Sequence, residues 1–395
     1  MQRVRVSSQQ SPVHKLGHQQ VAFSPKFKLA MGKPSDIEES LHLEPLIPGL
    51  PDDIALNCLI RLPISMLSPC RRVCKRWYFL FRKRAYFFTL RKELGVKNPW
   101  LLVLSYHKCT SKISWLVLDL HHFTWHSIPD MPCKDKVCPL GFRLLTYPSD
   151  GTLFVCGGMI SEVDCSLDIL FRFELHKNRW TVMNKMINSR SFLAAGVING
   201  LIYVAGGSTV DRLDIDSAEV YDPKDGTWRH VAPMNSSMAA YDSAVINSKL
   251  LVTEGWLWPF TVSPRGEIYD PSYDTWTSMP PGLREGWTGA SVVLYGRLFV
   301  VSEHERMKLK VYQSDTDTWE TVDGPPLPVQ ICKPFAVNGD GDHVYVVGRD
   351  LHVAVGKFCR FKCSEKWTFH VQWALVGPPD NFYGLAPSSA QVLFA

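Results

Sequence analysis

Long hydrophobic runs are missing from this 395-residue sequence. The longest candidates, such as residues 100–105, have the length of a β-strand, and none approaches the roughly 18 consecutive apolar residues that indicate a membrane-spanning helix. We therefore expect no membrane partner. Hydrophobic residues nevertheless make up 46% of the chain, which is ample for a substantial folded core.

A large excess of one charge is missing as well. Lys and Arg together number 43, and Asp and Glu together number 38. Residues 1–35 hold six of the basic residues and none of the acidic ones, so the rest of the chain is nearly neutral. Such a balance cannot supply the broad basic face that non-specific nucleic-acid binding needs. We expect no nucleic-acid partner.

Signatures of catalysis and of metal binding are absent from the sequence. It has no P-loop, no G-x-S-x-G and no H-E-x-x-H motif. Its eleven cysteines are odd in number and irregularly spaced, which favours reduced thiols and a cytoplasmic or nuclear location. Cys133 with Cys138, and Cys359 with Cys363, are isolated pairs, so a structural zinc site is disfavoured. We expect no cofactor, no metal and no catalytic residue.

The first 43 residues are rich in Gln, Ser, Lys and Arg and have no sustained apolar period. Such a segment buries too little apolar surface to offset the entropy of ordering. We interpret residues 1–43 as a disordered basic tail. An organelle transit peptide is the alternative, although the segment lacks a clean amphipathic stripe.

Residues 44–92 have apolar residues at helical spacing. Pro51, followed by two aspartates, is typical of a helix start, and the Leu62–Pro63 pair is typical of a helix end. A second helix is predicted from Ser68 and Pro69. Short helices of this kind cannot form a large core alone, so exposed apolar surface and a binding partner are expected.

The helical segment resembles the F-box. The pattern consists of Leu50-Pro51-x-x-Ile54, Leu62-Pro63, Leu67 and Val73-Cys74-Lys75-x-Trp77. F-boxes bind a Skp-type adaptor and, through it, a cullin. The resemblance implies adaptor contacts by Leu50, Pro51, Ile54, Leu62, Pro63 and Leu67, whereas Val73, Cys74 and Trp77 look partly internal. An ordinary helical hairpin packed on the next domain is the alternative.

A hydrophobic strand recurs six times in the rest of the chain, with an interval of 46 to 53 residues. The strands start at residues 100, 153, 202, 250, 298 and 344, and a tryptophan follows each of them: Trp125, Trp180, Trp228, Trp276, Trp319 and Trp367. The clearest unit, residues 191–234, reads as four short strands with a hairpin turn at Asn199-Gly200. Four-stranded sheets must stack around an axis to cover both faces, so the pattern predicts a mainly β, six-bladed propeller over residues 98–395.

The recurring strand, glycine pair, Tyr-Asp-Pro and tryptophan resemble the kelch repeat. With the F-box ahead of it, the chain resembles plant-type F-box/kelch-repeat proteins. Only units two and three keep the glycine pair, as Gly157-Gly158 and Gly206-Gly207; it becomes Glu254-Gly255, Ser302-Glu303 and Gly348-Arg349 later. We interpret the glycines as allowing close approach of neighbouring blades, and the tryptophan as anchoring the outer strand across its own blade.

The first unit starts at its second strand, whereas residues 381–395 have the character of a first strand. We therefore predict that the chain end completes blade one and closes the ring.

The loops between strands two and three, and between strand four and the next strand one, are expected on a single face, which is the candidate target-binding surface. The loop of unit four carries three aromatic residues that either bind a partner or fold back as a plug. The candidate residues are Trp256, Trp258, Phe260, Arg190, Tyr241, Arg284, Trp287 and Lys333.

The resemblance implies a non-catalytic substrate receptor of a cullin-RING ubiquitin ligase, with the F-box on the adaptor and the propeller on a target protein marked for proteasomal degradation. A scaffold that recruits no cullin is one alternative. A propeller enzyme or small-molecule receptor is the other.

Overall fold

The architecture comes from a computed structural model. It describes residues 45–62, 66–82, 84–96, 98–133, 140–147, 151–160, 165–175, 177–256, 262–302, 307–363, 366–378 and 384–394. The predicted tail (residues 1–43), Pro63, Cys138, Trp258 and Phe260 lie outside the described residues.

Four short helices precede the propeller. They are α1 (Asp52–Leu59), α2 (Leu67–Cys70), α3 (Lys75–Arg82) and α4 (Arg84–Glu93). Helix α1 starts after Pro51 as predicted, with Asp52 and Asp53 in its first turn, where carboxylates stabilise the positive end of the helix dipole.

The helical module packs directly on the first blade. Leu56, Phe81 and Phe87 share one hydrophobic cluster with Trp100 and Trp115 of the propeller. The side chain of Arg91 is also buried here, and its guanidinium donates to the carbonyl of Ile60 at 2.9 Å. The module thus gains from the propeller the apolar cover that its short helices cannot provide for each other.

Six four-stranded antiparallel sheets form the propeller. Blades one and two contain β1 (Pro99–His107), β2 (Ile113–Asp119) and β3 (Thr124–Ser127), then β4 (Arg143–Tyr147), β5 (Thr152–Cys156), β8 (Leu170–Glu174) and β9 (Arg179–Val182), with the short pair β6 (Met159–Ile160) and β7 (Cys165–Ser166) between β5 and β8. Blades three and four contain β10 (Ala194–Ile198), β11 (Leu201–Ala205), β12 (Ala218–Asp222) and β13 (Thr227–Val231), then β14 (Asp242–Ile246), β15 (Lys249–Thr253), β16 (Gly266–Asp270) and β17 (Thr275–Ser278). Blades five and six contain β18 (Ser291–Leu294), β19 (Arg297–Val301), β20 (Leu309–Gln313) and β21 (Thr318–Thr321), then β22 (Ala336–Asp340), β23 (His343–Val347), β24 (Val353–Cys363) and β25 (Lys366–Val376), and the last strand of the chain is β26 (Leu385–Phe394). Helix α5 (Pro281–Gly286) joins blades four and five.

The last strand of the chain closes the ring. Strand β26 runs antiparallel to β1, from Phe394 opposite Pro99 to Leu385 opposite His107. Blade one is therefore built from the two ends of the propeller sequence, in the order β26, β1, β2, β3. Strand β1 is therefore paired on both sides, by β26 and β2, so the start of the propeller sequence has no unpaired strand edge.

Hydrophobic clusters lie between neighbouring blades. One joins blades two and three, and includes Phe154, Leu193 and Tyr221. Another joins blades five and six, around Phe299 and Phe358. The second strand of a blade is the most buried, because it is covered on both faces, as the all-buried β5 illustrates. The predicted face-to-face stacking of six blades is confirmed.

The repeat tryptophans connect one blade to the previous one. Each indole nitrogen donates to a backbone carbonyl in the segment that follows the last strand of the previous blade. The pairs are Trp180 with Pro129 (2.8 Å), Trp228 with Asn184 (2.9 Å), Trp276 with Ala232 (2.7 Å), Trp319 with Gly282 (2.9 Å), Trp373 with Pro325 (3.1 Å) and Trp125 with Gly377 (3.3 Å).

These contacts extend one sequence prediction and correct another. The tryptophans pack across their own blade as predicted, because the ring centroids of Trp180, Trp228, Trp276 and Trp319 lie 4.9 to 5.4 Å from an aromatic ring of the third strand. Their indole nitrogens in addition join adjacent blades. The tryptophan of unit six is Trp373, not Trp367. The reason is that β24 and β25 have 11 residues each and form an extended hairpin; Trp367 lies near its tip and is 41% exposed.

Candidate functional site

The first candidate site is the start of α1 in the helical module. Leu50 and Ile54 are 38% and 47% exposed, and Pro51 between them is exposed too. Exposed apolar side chains that are grouped together, unlike single ones, indicate a candidate interaction surface. We call Leu50, Pro51 and Ile54 the adaptor face.

Hydrogen bonds hold the segment that leads into the adaptor face. The backbone N–H of Leu46 donates to Asp52 at 2.8 Å, and its carbonyl accepts from the indole of Trp77 at 2.7 Å. Arg76 of α3 donates to the same Asp52 carboxylate at 2.7 Å. The sequence analysis treated Asp52 only as a helix-start residue. It missed the role of Asp52 in holding Leu46 and Arg76, because Arg76 lies 24 positions away in the sequence.

Other F-box positions are arranged differently from the prediction. Leu67, predicted to contact the adaptor, is buried in the module, since it lies one turn from buried Cys70 on the inner side of α2. Leu62 is half-buried against the same core. Val73 and Cys74, predicted to be partly internal, are exposed.

The second candidate site is one face of the propeller. Backbone bridges between Leu140 and Met159, and between Ser191 and Ser208, join loops that follow second strands to loops that precede first strands. We call the surface formed by these two kinds of loop the loop face. It matches the surface on which the sequence analysis placed target binding.

Two predicted partner residues on this face are buried, which corrects their assignment. Arg190 has no exposure and donates to Glu219, also fully buried, at 2.5 Å, as well as to the carbonyls of Gly206 and Ser217. Burial lowers the pKa of Arg190, and the Glu219 carboxylate opposes that shift. Trp287 is fully buried and donates to Asp242 at 3.3 Å. Both residues join blades and present no side chain to a partner.

Trp256 and Arg284 lie at the connection between blades four and five. The indole of half-buried Trp256 donates to the carbonyl of Glu285 at 2.8 Å, at the end of α5. Arg284 is half-buried and lies 3.9 Å from the carboxylate of Glu285. For Trp256 this geometry favours the folded-back alternative over a side chain held out to solvent.

The first strands of all six blades line a central channel of about 760 Å³. Its polar side chains mostly join neighbouring blades. Gln391 donates to Leu144 of blade two and accepts from Asn338 of blade six, both at 3.1 Å. Arg143 donates to the carbonyls of Leu193 and Tyr241 at 2.8 and 2.9 Å. The channel is therefore a structural axis whose hydrogen-bonding groups are largely used by the fold.

A smaller pocket of about 420 Å³ adjoins the channel on the loop face. Its lining residues are Tyr241, Ala290, Lys333, Pro334, Phe335 and Arg349. We call it the mouth pocket. The structure thus brings two predicted residues, Tyr241 and Lys333, together with Phe335 and Arg349, which the prediction missed. A signal was available for Arg349, because it replaces the second glycine of the repeat.

Within the described part of the chain, no cluster of three or more His, Cys, Asp or Glu side chains is arranged to hold a metal ion. The nine cysteines whose side chains are described have free thiols. None of the described helices has the length and apolar character needed to cross a membrane.

Comparison with protein families fits this architecture. Residues 47–89 match the F-box domain, and residues 189–235 match the Kelch motif. The helical module and the propeller together therefore define an F-box protein with a kelch-type propeller.

Three similar proteins each match between 73% and 100% of this chain. The chain is 57% identical to F-box/kelch-repeat protein At1g30090 of Arabidopsis thaliana over 402 aligned positions, which cover 100% of both chains. It is 38% identical to F-box protein AFR of the same plant, over 89% of this chain and 93% of that one. It is 31% identical to F-box/kelch-repeat protein At1g67480, over 73% and 75%. The chain belongs to the F-box/kelch-repeat family.

Proposed function

We propose that the chain is the substrate-recognition subunit of an SCF-type cullin-RING ubiquitin ligase. The helical module docks on a Skp-type adaptor and thereby on a cullin, and the loop face of the propeller holds the target protein for ubiquitination and proteasomal degradation. The observation that carries the proposal is the adaptor face, an exposed apolar surface on a segment held in place by Asp52 and Trp77.

The proposed mechanism is proximity. The chain performs no covalent chemistry itself and acts in the cytoplasm, the nucleus or both. Holding the target beside the ubiquitin-loaded enzyme raises the effective concentration of target lysines, which speeds transfer without a catalytic residue in this subunit.

Adaptor binding tests the proposal. The change Leu50→Ala with Pro51→Ala removes much of the adaptor face, and we expect co-purification of adaptor and cullin with the tagged protein to be lost. The matched control is Val182→Ala with Tyr273→Ala, which removes side chains that are 63% and 79% exposed on the propeller. The control should bind as wild type. Adaptor binding that survives the first pair of changes would contradict the role of the adaptor face. Absence of the adaptor from the wild-type preparation would favour a scaffold without cullin recruitment.

A further inference from the structure

Two opposite charges lie at one end of the central channel. Arg143 and Asp242 are the only charged side chains among its lining residues, all of which belong to the described part of the chain. Arg143 is the first residue of β4 in blade two, and Asp242 is the first residue of β14 in blade four. First strands start at the loop face, so both side chains lie at that end of an otherwise uncharged channel.

Arg143 is held in place by the fold and keeps unused hydrogen-bond donors. Its Nε and Nη2 atoms donate to the carbonyls of Leu193 and Tyr241 at 2.8 and 2.9 Å. Its Nη1 atom lies 3.7 Å from Oδ1 of Asp242, which is too far for a hydrogen bond. The N–H groups of Nη1 therefore have no acceptor among the described residues. A guanidinium has five N–H donors, so it can bind a ligand without giving up its structural bonds.

Asp242 is also fixed, and one of its oxygens can accept a further bond. Oδ2 accepts from the hydroxyl of Ser291 at 2.6 Å and from the indole of Trp287 at 3.3 Å. Oδ1 accepts from the backbone N–H of Ser243 at 2.8 Å. Each carboxylate oxygen has about two acceptor positions, so Oδ1 has room for one more donor. The two charged groups are thus preorganised, and a ligand meets little cost in ordering them.

The channel has the size and the wall of a ligand site. Its volume is about 760 Å³, within the range that is typical of small-molecule pockets. Small and aliphatic residues line it beside the two charged groups, among them Ala195, Val245 and Ala290. It shares Ala290 and Phe335 with the mouth pocket, which connects it with the loop face.

We propose that the central channel binds a small zwitterion, an α-amino acid or a close analogue, with its carboxylate on Nη1 of Arg143 and its ammonium on Oδ1 of Asp242. Such a ligand forms charge-assisted hydrogen bonds with both free positions. A simple anion or cation would instead meet one like charge, which disfavours it. The apolar remainder of the ligand packs on the wall near Val245. The site goes beyond the ligase proposal and does not depend on cullin recruitment.

Titration calorimetry of the full-length chain with four probes tests the proposal. The probes are L-phenylalanine, L-phenylalaninamide without the carboxylate, 3-phenylpropanoate without the ammonium, and glycine without the apolar group. We expect phenylalanine to bind at least about tenfold more tightly than each of the other three, because each of them lacks one recognised group.

Two variants assign this binding to the channel. Asp242→Asn should weaken phenylalanine binding at least about tenfold and leave 3-phenylpropanoate binding nearly unchanged. A general loosening of the fold would not remove this preference selectively. Ser389→Leu narrows the channel without touching either charged side chain, and should weaken phenylalanine binding at least about fivefold. Circular dichroism melting verifies that both variants are folded.

A matched control lies in the same blade. Asp270→Asn on β16 disrupts the exposed pair with Lys249, at 2.9 Å, and should bind phenylalanine as wild type does. The proposal is overturned if phenylalanine does not bind, or if its amide or 3-phenylpropanoate binds equally well. Wild-type affinity of Asp242→Asn or Ser389→Leu for phenylalanine overturns it too. Adaptor co-purification with the same preparations reports on the ligase proposal independently.

Discussion

The helical module and the propeller treat apolar surface in opposite ways. The module leaves Leu50, Ile54 and Val73 exposed in a short stretch of chain and obtains its core from blade one. The propeller places its apolar side chains between blades and ties the blades together through Trp indoles, Arg190 and Gln391. The comparison teaches that the module leaves apolar side chains uncovered, whereas the propeller covers most of its own by stacking blades.

Removal of β26 tests whether the stability of the propeller depends on closure of the ring, and we expect it to have the largest effect. Deleting residues 385–395 exposes the whole edge of β1 and removes buried Leu385, Ala390, Val392 and Leu393. At about 1–3 kcal/mol for each large buried side chain, the loss is comparable with the roughly 5–15 kcal/mol that stabilises a typical domain. We expect cooperative loss of the folded propeller.

Circular dichroism melting of the purified protein measures this effect. Deletion of residues 1–43, the predicted tail, is the control and should leave the melting temperature unchanged. A protein without residues 385–395 that melts like the full chain would show that ring closure contributes little.

The buried ion pair between Arg190, in the connection that leads into blade three, and Glu219, on β12 of that blade, gives the next largest effect. Glu219→Ala removes the acceptor for Arg190 and for the backbone N–H groups of Ile187 and Asn188. It leaves a buried cation without its charge partner, which typically costs about 3–5 kcal/mol. We expect that decrease in the free energy of unfolding, measured by denaturant titration.

Blade four provides the matched control for this prediction. Glu267 occupies the equivalent position and accepts from the N–H groups of Asn235 and Ser236. The corresponding Glu267→Ala strands no fully buried arginine among the described residues. We expect a smaller loss of about 1–3 kcal/mol. Equal losses for the two changes would argue that the ion pair adds nothing.

The two tryptophans of blade six, Trp367 and Trp373, are expected to contribute differently to the stability of the propeller. Trp373→Phe removes the hydrogen bond to Pro325 and part of the packing between blades five and six. We expect it to lower the free energy of unfolding by about 1–2 kcal/mol. Trp367→Phe, near the hairpin tip, should change it by less than about 0.5 kcal/mol. The reverse order would restore Trp367 as the structural tryptophan of unit six.

These tryptophans also show how much of the fold the sequence could predict. The six second strands, the blade number and five of the six tryptophans were predicted correctly, because each depends on a pattern within one repeat. Trp373 was missed because the long hairpin of β24 and β25 shifts the spacing on which that pattern relied.

The candidate sites were less predictable, and for a physical reason. Leu50, Pro51 and Ile54 form a local motif, so their sequence identifies them. Arg190 and Lys333 both occur in loops before a first strand, yet one is fully buried and the other exposed. That difference depends on Glu219, which lies 29 positions away on the third strand of the blade that Arg190 precedes. No pattern within a loop encodes it.

The contacts of Asp52 with Leu46 and Arg76 in the helical module are expected to affect adaptor binding but hardly affect the stability of the fold. Asp52→Ala removes the acceptor for Leu46 and the ion pair with Arg76, in which the Asp52 side chain is 47% exposed. Partly exposed pairs contribute about 0–1 kcal/mol to folding, so the melting temperature should hardly move. We expect adaptor affinity, measured by titration calorimetry, to fall about three- to tenfold because Leu50 is no longer held in place. Unchanged affinity would mean that the adaptor itself orders this segment.

The smallest effect, and the only stabilising one, comes from a comparison between blades. The hydroxyls of Tyr269 and Tyr312 donate to Asp274 and Asp317 at 2.6 and 2.7 Å. The corresponding hydroxyl of Tyr221 is buried without a partner in the described part of the chain, since Gly226 takes the place of the aspartate. All three turn positions have positive φ, of +69°, +51° and +51°, and a Cβ atom on Gly226 would meet nothing closer than 3.6 Å. Gly226→Asp should therefore raise the free energy of unfolding by about 0.5–1.5 kcal/mol, and the gain should vanish in a Tyr221→Phe background. A gain that persists there would come from the unfolded chain rather than from the new hydrogen bond.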